Sequence, residues 1–211
     1  MATPDGQEEY SLDLIPASML APRMRRVALI SIVIGIVVGA IVAIFAVPLI
    51  ALAVGAVVGL PTAVSSLLAT RRRIWLEGNT LHSFNGLRRR RVEVAQAAMV
   101  EFVVRSARIS QVAIRVGDTR QAQTVPLALY AAGSGRELDV LALRKLADAL
   151  SASELAPAAA AASVLIEQLR AEARGAGLEE RPLYRAVVLI RETGRVPQTT
   201  LTDQEVASLS A

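Results

Sequence analysis

Hydrophobic and polar positions are distributed unevenly along this chain. Residues 27–70 contain no charged side chain, no Asn, no Gln and no His. A hydrocarbon core about 30 Å thick is crossed by roughly 20 apolar residues in a helix, so this stretch has room for two helices and a tight turn. Pro48 is the candidate for the turn. We therefore predict a transmembrane helical hairpin over residues 23–73, with helices at 27–47 and 49–70.

The two predicted helices carry glycine pairs with small-xxx-small spacing, Gly35 and Gly39 in the first, Gly55 and Gly59 in the second. Both pairs lie about ten residues from Pro48, so they reach a similar depth. Because helices in lipid associate through close backbone approach, we predict that these glycines pack against each other. Two alternatives remain open. The glycines could reflect only the general abundance of glycine in transmembrane helices, or one of the pairs could form a face for homodimerisation.

Arginines flank the hairpin on both sides, and its central turn has no charge. They are Arg23, Arg25 and Arg26 before it and Arg71, Arg72 and Arg73 after it. Under the positive-inside rule this pattern predicts a double-pass protein of the inner (cytoplasmic) membrane with both termini in the cytoplasm. Residues 1–22 are polar and acidic and lack the features of a signal peptide, so we expect a flexible tail there.

Short alternating runs begin after the hairpin and predict a β-rich domain over residues 74–150. Gly78-Asn79 and Asn85-Gly86 are two-residue hairpin signals between successive strands. Pro126 has no N–H for a ladder, so we expect it to end a strand. Ser134 and Glu137 have the spacing of a capping box, which predicts a closing helix over residues 136–150. The predicted fold class is a membrane-anchored α+β protein, with an antiparallel sheet capped by one helix and followed by a helical tail.

A family resemblance rests on this layout and on two short patterns. The segment from Trp75 to Leu81 reads W-x-E-G-x-x-L, and Arg90-Arg91-Val92-Glu93-Val94 follows as a basic-to-apolar strand. Over residues 23–150 the chain resembles bacterial, and especially actinobacterial, membrane proteins with a transmembrane hairpin and a cytoplasmic pleckstrin-homology-like (PH-like) domain. The resemblance implies a seven-stranded, partly closed sheet capped by one helix, no catalytic activity of its own, and a role in binding protein partners or in self-assembly.

Residues 151–195 predict a tail of two amphipathic helices. The first runs from residue 156 to 174 and is stopped by Gly175, and the second begins at Pro182 and ends near Gly194. The tail alone is too short for its helices to bury their apolar faces against each other, so we expect those faces to bind a partner. Residues 196–211 are expected to be disordered.

Composition narrows the possible chemistry. The chain has no cysteine and one histidine, His82, so we predict no catalytic, cofactor or metal site. Trp75 fits either the aromatic belt of a membrane or the core of the first strand. The formal net charge is +4, and the basic excess lies beside the predicted hairpin.

The candidate lipid-contact residues form two arginine clusters. The first is Arg71, Arg72 and Arg73, and the second is Arg88, Arg89, Arg90 and Arg91. Either these arginines lie against anionic lipid, or they are a solvated strand end that sets topology. Without aromatic interleaving or a recognisable module, nucleic acid is not expected as a partner.

Two functional hypotheses follow. The first is a non-enzymatic, membrane-anchored interaction or scaffold protein, whose PH-like domain and tail bind an unknown protein partner or a second copy of the chain beside the membrane lipids. The alternative is an accessory or regulatory subunit of a membrane transporter or envelope-assembly complex, recognised through its hairpin.

Overall fold

The chain has a mixed α+β fold that divides into two units. The computed structural model describes residues 9–45, 47–118, 121–131, 134–193 and 198–210. Two long apolar helices dominate one unit, which consists of Ile15–Arg73 and Phe84–Arg89 and is called the helical unit below. The second, the α+β unit, takes residues 9–14, Ile74–Ser83 and the chain from Arg90 onward.

The two long helices are α1 (Ala17–Phe45) and α2 (Pro48–Ala69). Pro48 opens α2 at its first turn, where a missing N–H costs nothing and the fixed φ suits the helix. Helix α1 begins ten residues before the predicted position 27. The segment that precedes the apolar stretch is mostly Ala, Leu, Met and Arg, which are strong helix formers, so the helix propagates back through it.

The first sheet has four strands in the order β1-β2-β3-β4. The strands are β1 (Glu9–Ser11), β2 (Arg72–Glu77), β3 (Thr80–Asn85) and β4 (Arg89–Glu93). Strand β1 pairs with β2, and the next turn of chain buries Leu12 and Leu14 in the core. The expectation of a flexible tail over residues 1–22 is therefore wrong for residues 9–22, because this segment supplies an edge strand, apolar contacts and the start of α1. Residues 1–8 lie outside the described residues.

The second sheet has five strands in the order β8-β7-β6-β5-β9. They are β5 (Met99–Arg105), β6 (Ser110–Gly117), β7 (Ala122–Ala131), β8 (Ser134–Glu137) and β9 (Gln198–Thr200). Pro126 does not end a strand as predicted. It lies inside β7, opposite Ala113, where the register of β6 and β7 shifts. Such a bulge disrupts the ladder locally and so tolerates a residue that has no N–H to donate.

The predicted capping box at Ser134 and Glu137 is wrong, and so is the helix start at residue 136. Residues Ser134–Glu137 form β8, and the helix α3 spans Val140–Ser151. The N-cap is Asp139, whose side chain accepts a hydrogen bond from the Leu141 N–H at 3.1 Å. The Glu137 carboxylate instead contacts three side chains from other elements. It is therefore not available for the capping box that the local sequence predicts.

The two tail helices are α4 (Ala156–Ala173) and α5 (Pro182–Glu192), with a short 3-10 helix at Leu178–Glu180 between them. Gly175 has φ +67° and follows the end of α4, where the N–H of Ala176 bonds back to the Ala171 carbonyl at 2.9 Å. This is the left-handed stop that the sequence indicates. The predicted end of α5 at Gly194 lies outside the described residues.

The apolar faces of α4 and α5 are covered by the chain's own core. Val164 and Leu165 on α4, and Leu183 and Val187 on α5, are fully buried in the hydrophobic cluster that also takes in the inner faces of both sheets and of α3. The expectation that these faces bind a partner is therefore wrong. Both helices belong to the α+β unit, and their apolar faces lie in its core.

The expectation of disorder over residues 196–211 is also wrong for residues 198–210. Strand β9 pairs with β5, and helix α6 (Asp203–Leu209) packs on α4 and α5. Thr202 and Glu205 form a reciprocal capping box at its start, and Val206 and Leu209 are buried. A well-capped start and two buried apolar side chains are enough to order this short helix on an existing surface.

Candidate membrane anchor and its arginine-rich turn

The four glycines of the predicted packing face lie where α1 and α2 approach each other most closely. A Cβ built on Gly35 would lie 2.7 Å from the carbonyl oxygen of Gly55, and one built on Gly55 would lie 2.7 Å from that of Gly35. At Gly39 and Gly59 the nearest backbone oxygen of the other helix would be 3.1 and 3.0 Å away. Any larger residue at Gly35 or Gly55 would therefore push the two backbones apart.

Helix α2 carries hydroxyl groups that find acceptors within the helix itself. The Ser66 hydroxyl donates to the carbonyl of Thr62 at 2.7 Å, and the Ser65 hydroxyl donates to the same carbonyl at 3.1 Å. The Thr70 hydroxyl donates to the Leu67 carbonyl at 2.7 Å. An apolar solvent offers no partner to a free hydroxyl, so these bonds lower the cost of placing α2 in lipid.

The outer surfaces of α1 and α2 are apolar and uncovered. By length and composition, Ala21–Phe45 and Pro48–Ala69 can each cross a membrane. Only 11% and 22% of their most apolar windows are buried, whereas the core helix of a soluble domain is mostly buried. The exposed large apolar residues include Leu29, Ile36, Ile44, Phe45, Leu49, Leu52, Val57 and Leu60.

All seven arginines of the two predicted lipid-contact clusters are exposed, and no ion pair between described residues involves any of them. Five belong to the helical unit: Arg71, Arg72 and Arg73 follow α2, Arg88 lies in the turn between β3 and β4, and Arg89 begins β4. The other two, Arg90 and Arg91, belong to the α+β unit. The structure thus brings five of the seven predicted positions into one unit with the apolar helices.

The turn at Phe84–Arg89 lies against the last turn of α2. Gly86 has φ +83°, and a Cβ added to it would lie 3.0 Å from the Leu68 side chain and 3.2 Å from the Leu68 carbonyl oxygen. The Asn85 N–H closes the turn by donating to the Arg88 carbonyl at 3.1 Å. Glycine is therefore needed at position 86 for two reasons: the backbone is left-handed there, and it lies too close to Leu68 for a side chain to fit without displacement. At the tip, Leu87 is 78% exposed, a feature that the periodicity argument missed.

Trp75 lies within the α+β unit and stacks on His82 of the neighbouring strand. The ring centroids are 5.2 Å apart and the planes are within 10° of parallel. His82 Nε2 lies 3.3 Å from a Glu77 carboxylate oxygen. The indole N–H of Trp75 is buried and has no partner among the described residues. Of the two alternatives for Trp75, the structure shows packing within the sheet.

A partly buried polar cluster around Glu137 joins β7, β8, α4 and the start of α5. Its carboxylate accepts hydrogen bonds from the Tyr130 hydroxyl at 2.6 Å and from the Gln168 amide at 2.9 Å, and it forms an ion pair with Arg181. Gln168 is fully buried, and its carbonyl oxygen accepts from the Leu183 N–H at 3.2 Å. Every charge and amide in this cluster is therefore paired.

Burial raises the pKa of Tyr130 far above its ordinary value of 10.0, and the hydrogen bond to Glu137 acts in the same direction. The phenol therefore stays protonated and acts only as a donor. On the surface of α4, by contrast, hydrogen bonds from Arg170 and then Arg174 lower the pKa of Glu167. The Glu137 carboxylate is held in place by three donors from other elements.

Within the part of the chain that the structure describes, no group of three or more His, Cys, Asp or Glu side chains is placed to hold a metal ion. Comparison with protein-family models, with curated proteins and with solved structures finds no match for this chain.

Proposed function

We propose that this chain is a bacterial, double-pass protein of the cytoplasmic membrane that acts by binding and not by catalysis. The observation that carries the proposal is the uncovered apolar exterior of α1 and α2, joined to an α+β unit that has a complete core of its own. An anchor coupled to a folded module is the arrangement expected of a membrane-surface interaction protein. The hairpin has basic residues on both flanks and none in its turn. Under the positive-inside rule, this distribution supports a cytoplasmic location for both termini.

In this proposal the arginine clusters at 71–73 and 88–91 bind anionic lipid. Their support is their exposure and the absence of ion-pair partners within the described residues. Near a lipid surface each basic residue contributes about 1 kcal/mol, and the contribution fades within a Debye length. The module itself acts as a PH-like domain, an assignment supported by seven successive strands, β2 to β8, followed directly by the helix α3.

The partner in this proposal is another protein or a second copy of the chain. With the apolar faces of α4 and α5 already buried, the remaining candidate is the first turn of α3, where Val140 and Leu141 are 44% and 58% exposed. Two adjacent exposed aliphatic side chains at the start of a helix are a small contact. They would be one part of a larger interface that includes the polar surface around them.

A second candidate function is an accessory subunit recognised through its hairpin. It is favoured by a groove of about 510 Å³ between α1 and α2, lined by the four glycines and by apolar side chains such as Ile32, Ile36 and Leu60. Small residues in a membrane groove allow another helix to approach closely, which is how transmembrane helices recognise each other.

Exchange of the hairpin separates the two functions. Residues 17–70 are replaced by an unrelated double-pass hairpin, and both proteins are captured from native membranes after cross-linking. If the module binds the partner, the exchanged protein is expected to retain the same cross-linked species, and a further Leu141→Asp change should remove it. Loss of that species with normal insertion would favour the hairpin-recognised subunit instead. A strictly monomeric, uncross-linked protein in both cases would contradict the interaction function altogether.

A further inference from the structure

Leu87 is an exposed aliphatic residue at the tip of the turn between β3 and β4. Single exposed aliphatic residues are common on protein surfaces and need no explanation. This one is 78% exposed at the tip of the turn between two strands, and four arginines follow it directly in the chain. Strand turns are usually tipped by polar residues because their side chains meet water, so an aliphatic tip next to basic residues resembles a surface that meets a lipid interface.

The turn is held next to the end of a helix that can cross a membrane. Gly86 packs closely against Leu68. The carbonyl of Leu68 accepts a hydrogen bond from the Arg71 N–H at 3.0 Å. The tip and the first arginine after α2 thus share one contact residue. If the apolar stretch of α2 ends near the membrane surface, this contact brings Leu87 to that same surface.

The basic side chains around the tip are arranged for a phosphate-bearing surface. The Arg89 guanidinium lies 6.0 Å from the centre of the Phe84 ring, within the range of a cation–π contact that limits where the side chain can point. Arg88 precedes Arg89 in the chain and is exposed, and Arg71, which follows α2, is exposed as well. Guanidinium groups present several donors in a planar fork that matches phosphate oxygens, so an anionic headgroup is the ligand that suits these residues.

We propose that the 84–89 turn is a lipid-binding element, in which Leu87 enters the interfacial layer of the leaflet that α2 leaves, while Arg71, Arg88 and Arg89 bind the phosphates of anionic phospholipids. The proposal rests on the proposed membrane anchor, since it requires α2 to end at that leaflet. It adds a second, tunable attachment to the anchor, whose strength depends on the anionic lipid content of the bilayer.

The test uses the full chain in proteoliposomes. Because the native sequence has no cysteine, each of three variants, L87C, V58C and S163C, carries a single environment-sensitive fluorophore. Val58 lies in the middle of α2 and Ser163 is exposed on α4. Vesicles contain either neutral phosphatidylcholine or a mixture with anionic phosphatidylglycerol, each with lipids that carry a nitroxide quencher either near the headgroup or deep in the acyl chain. Trp75, the only tryptophan, reports that each variant is folded.

With anionic vesicles, the label at position 87 is expected to shift to the blue and to lose emission to the shallow quencher. Both effects should weaken in neutral vesicles, or after R88Q and R89Q are added. The label at 58 should lose emission to the deep quencher and the label at 163 to neither. Quenching at 58 with none at 87 would overturn this inference and leave the anchor intact. No quenching at 58 would overturn the anchor, and this inference with it.

Discussion

Replacing Gly35 or Gly55 by Ile is expected to force α1 and α2 apart. A Cβ at either position would lie 2.7 Å from a backbone carbonyl oxygen of the other helix, and backbone cannot move aside as a flexible side chain can. Overpacking a well-packed contact costs about 1–3 kcal/mol, and here the loss of backbone contact along the whole glycine face adds to it. Thermal unfolding in detergent and the fraction of chains with α2 inserted should both fall.

The matched control for this change is Ala53→Ile. Ala53 lies in α2 within one turn of Gly55 but on the exposed face of the helix, so the added side chain points to lipid and raises hydrophobicity without a clash. It should leave thermal stability unchanged and favour insertion. Equal behaviour of Gly35→Ile and Ala53→Ile would mean that the helices do not pack through the glycines.

Glu137→Ala is expected to lower the stability of the α+β unit by about 1–3 kcal/mol, the range seen when a buried hydrogen-bonding group loses its partner. The change leaves Arg181 without its carboxylate, and it deprives the Tyr130 hydroxyl and the fully buried Gln168 amide of their acceptor. The midpoint of chemical denaturation, followed by the emission of Trp75, measures the effect.

The control for that change is a carboxylate that also makes two arginine contacts but does so in water. Glu167→Ala removes the surface contacts to Arg170 and Arg174, and solvent replaces them at little cost, so the midpoint should hardly move. A small effect at Glu137, comparable with that at Glu167, would show that the cluster does not hold β8, α4 and α5 together.

Features with a local cause could be predicted from the sequence. An uninterrupted apolar stretch with one proline at its centre predicts two helices and a turn at Pro48, and α2 does begin there. Gly175 predicts the end of α4 because few other residues adopt a positive φ at a helix end. Alternating apolar residues before and after Asn85-Gly86 predict the turn between β3 and β4. Each of these signals lies within a few residues of the structure that it determines.

Features that depend on distant residues could not be predicted in this way. Glu137 has the local spacing of a capping residue, yet its carboxylate pairs with Arg181, 44 positions later, and its backbone belongs to β8, which pairs with β7. The C-terminal segment is polar and short enough to be read as disordered. It is ordered because β9 pairs with the edge of β5, and no pattern in the sequence of the segment predicts that pairing.

The turn at Phe84–Arg89 lies between these two cases. Its conformation has a local cause, but its place beside Leu68 at the end of α2 depends on the fold. For that reason the sequence singles out the arginines by their charge and passes over Leu87. An aliphatic residue directly after a glycine turn and before a basic run is a sequence signal that would have identified it.

Labelling of single cysteines in intact cells and in inverted vesicles tests the central claim, that α1 and α2 cross the membrane as a hairpin with both flanks on one side. Glu9→Cys in β1, Leu49→Cys at the start of α2 and Ser163→Cys on α4 are treated with a membrane-impermeant maleimide. The hairpin predicts that position 49 reacts only from the outside of the cell, and that positions 9 and 163 react only in inverted vesicles. Reaction of positions 9 and 163 from opposite sides, or of all three from the same side, would contradict it.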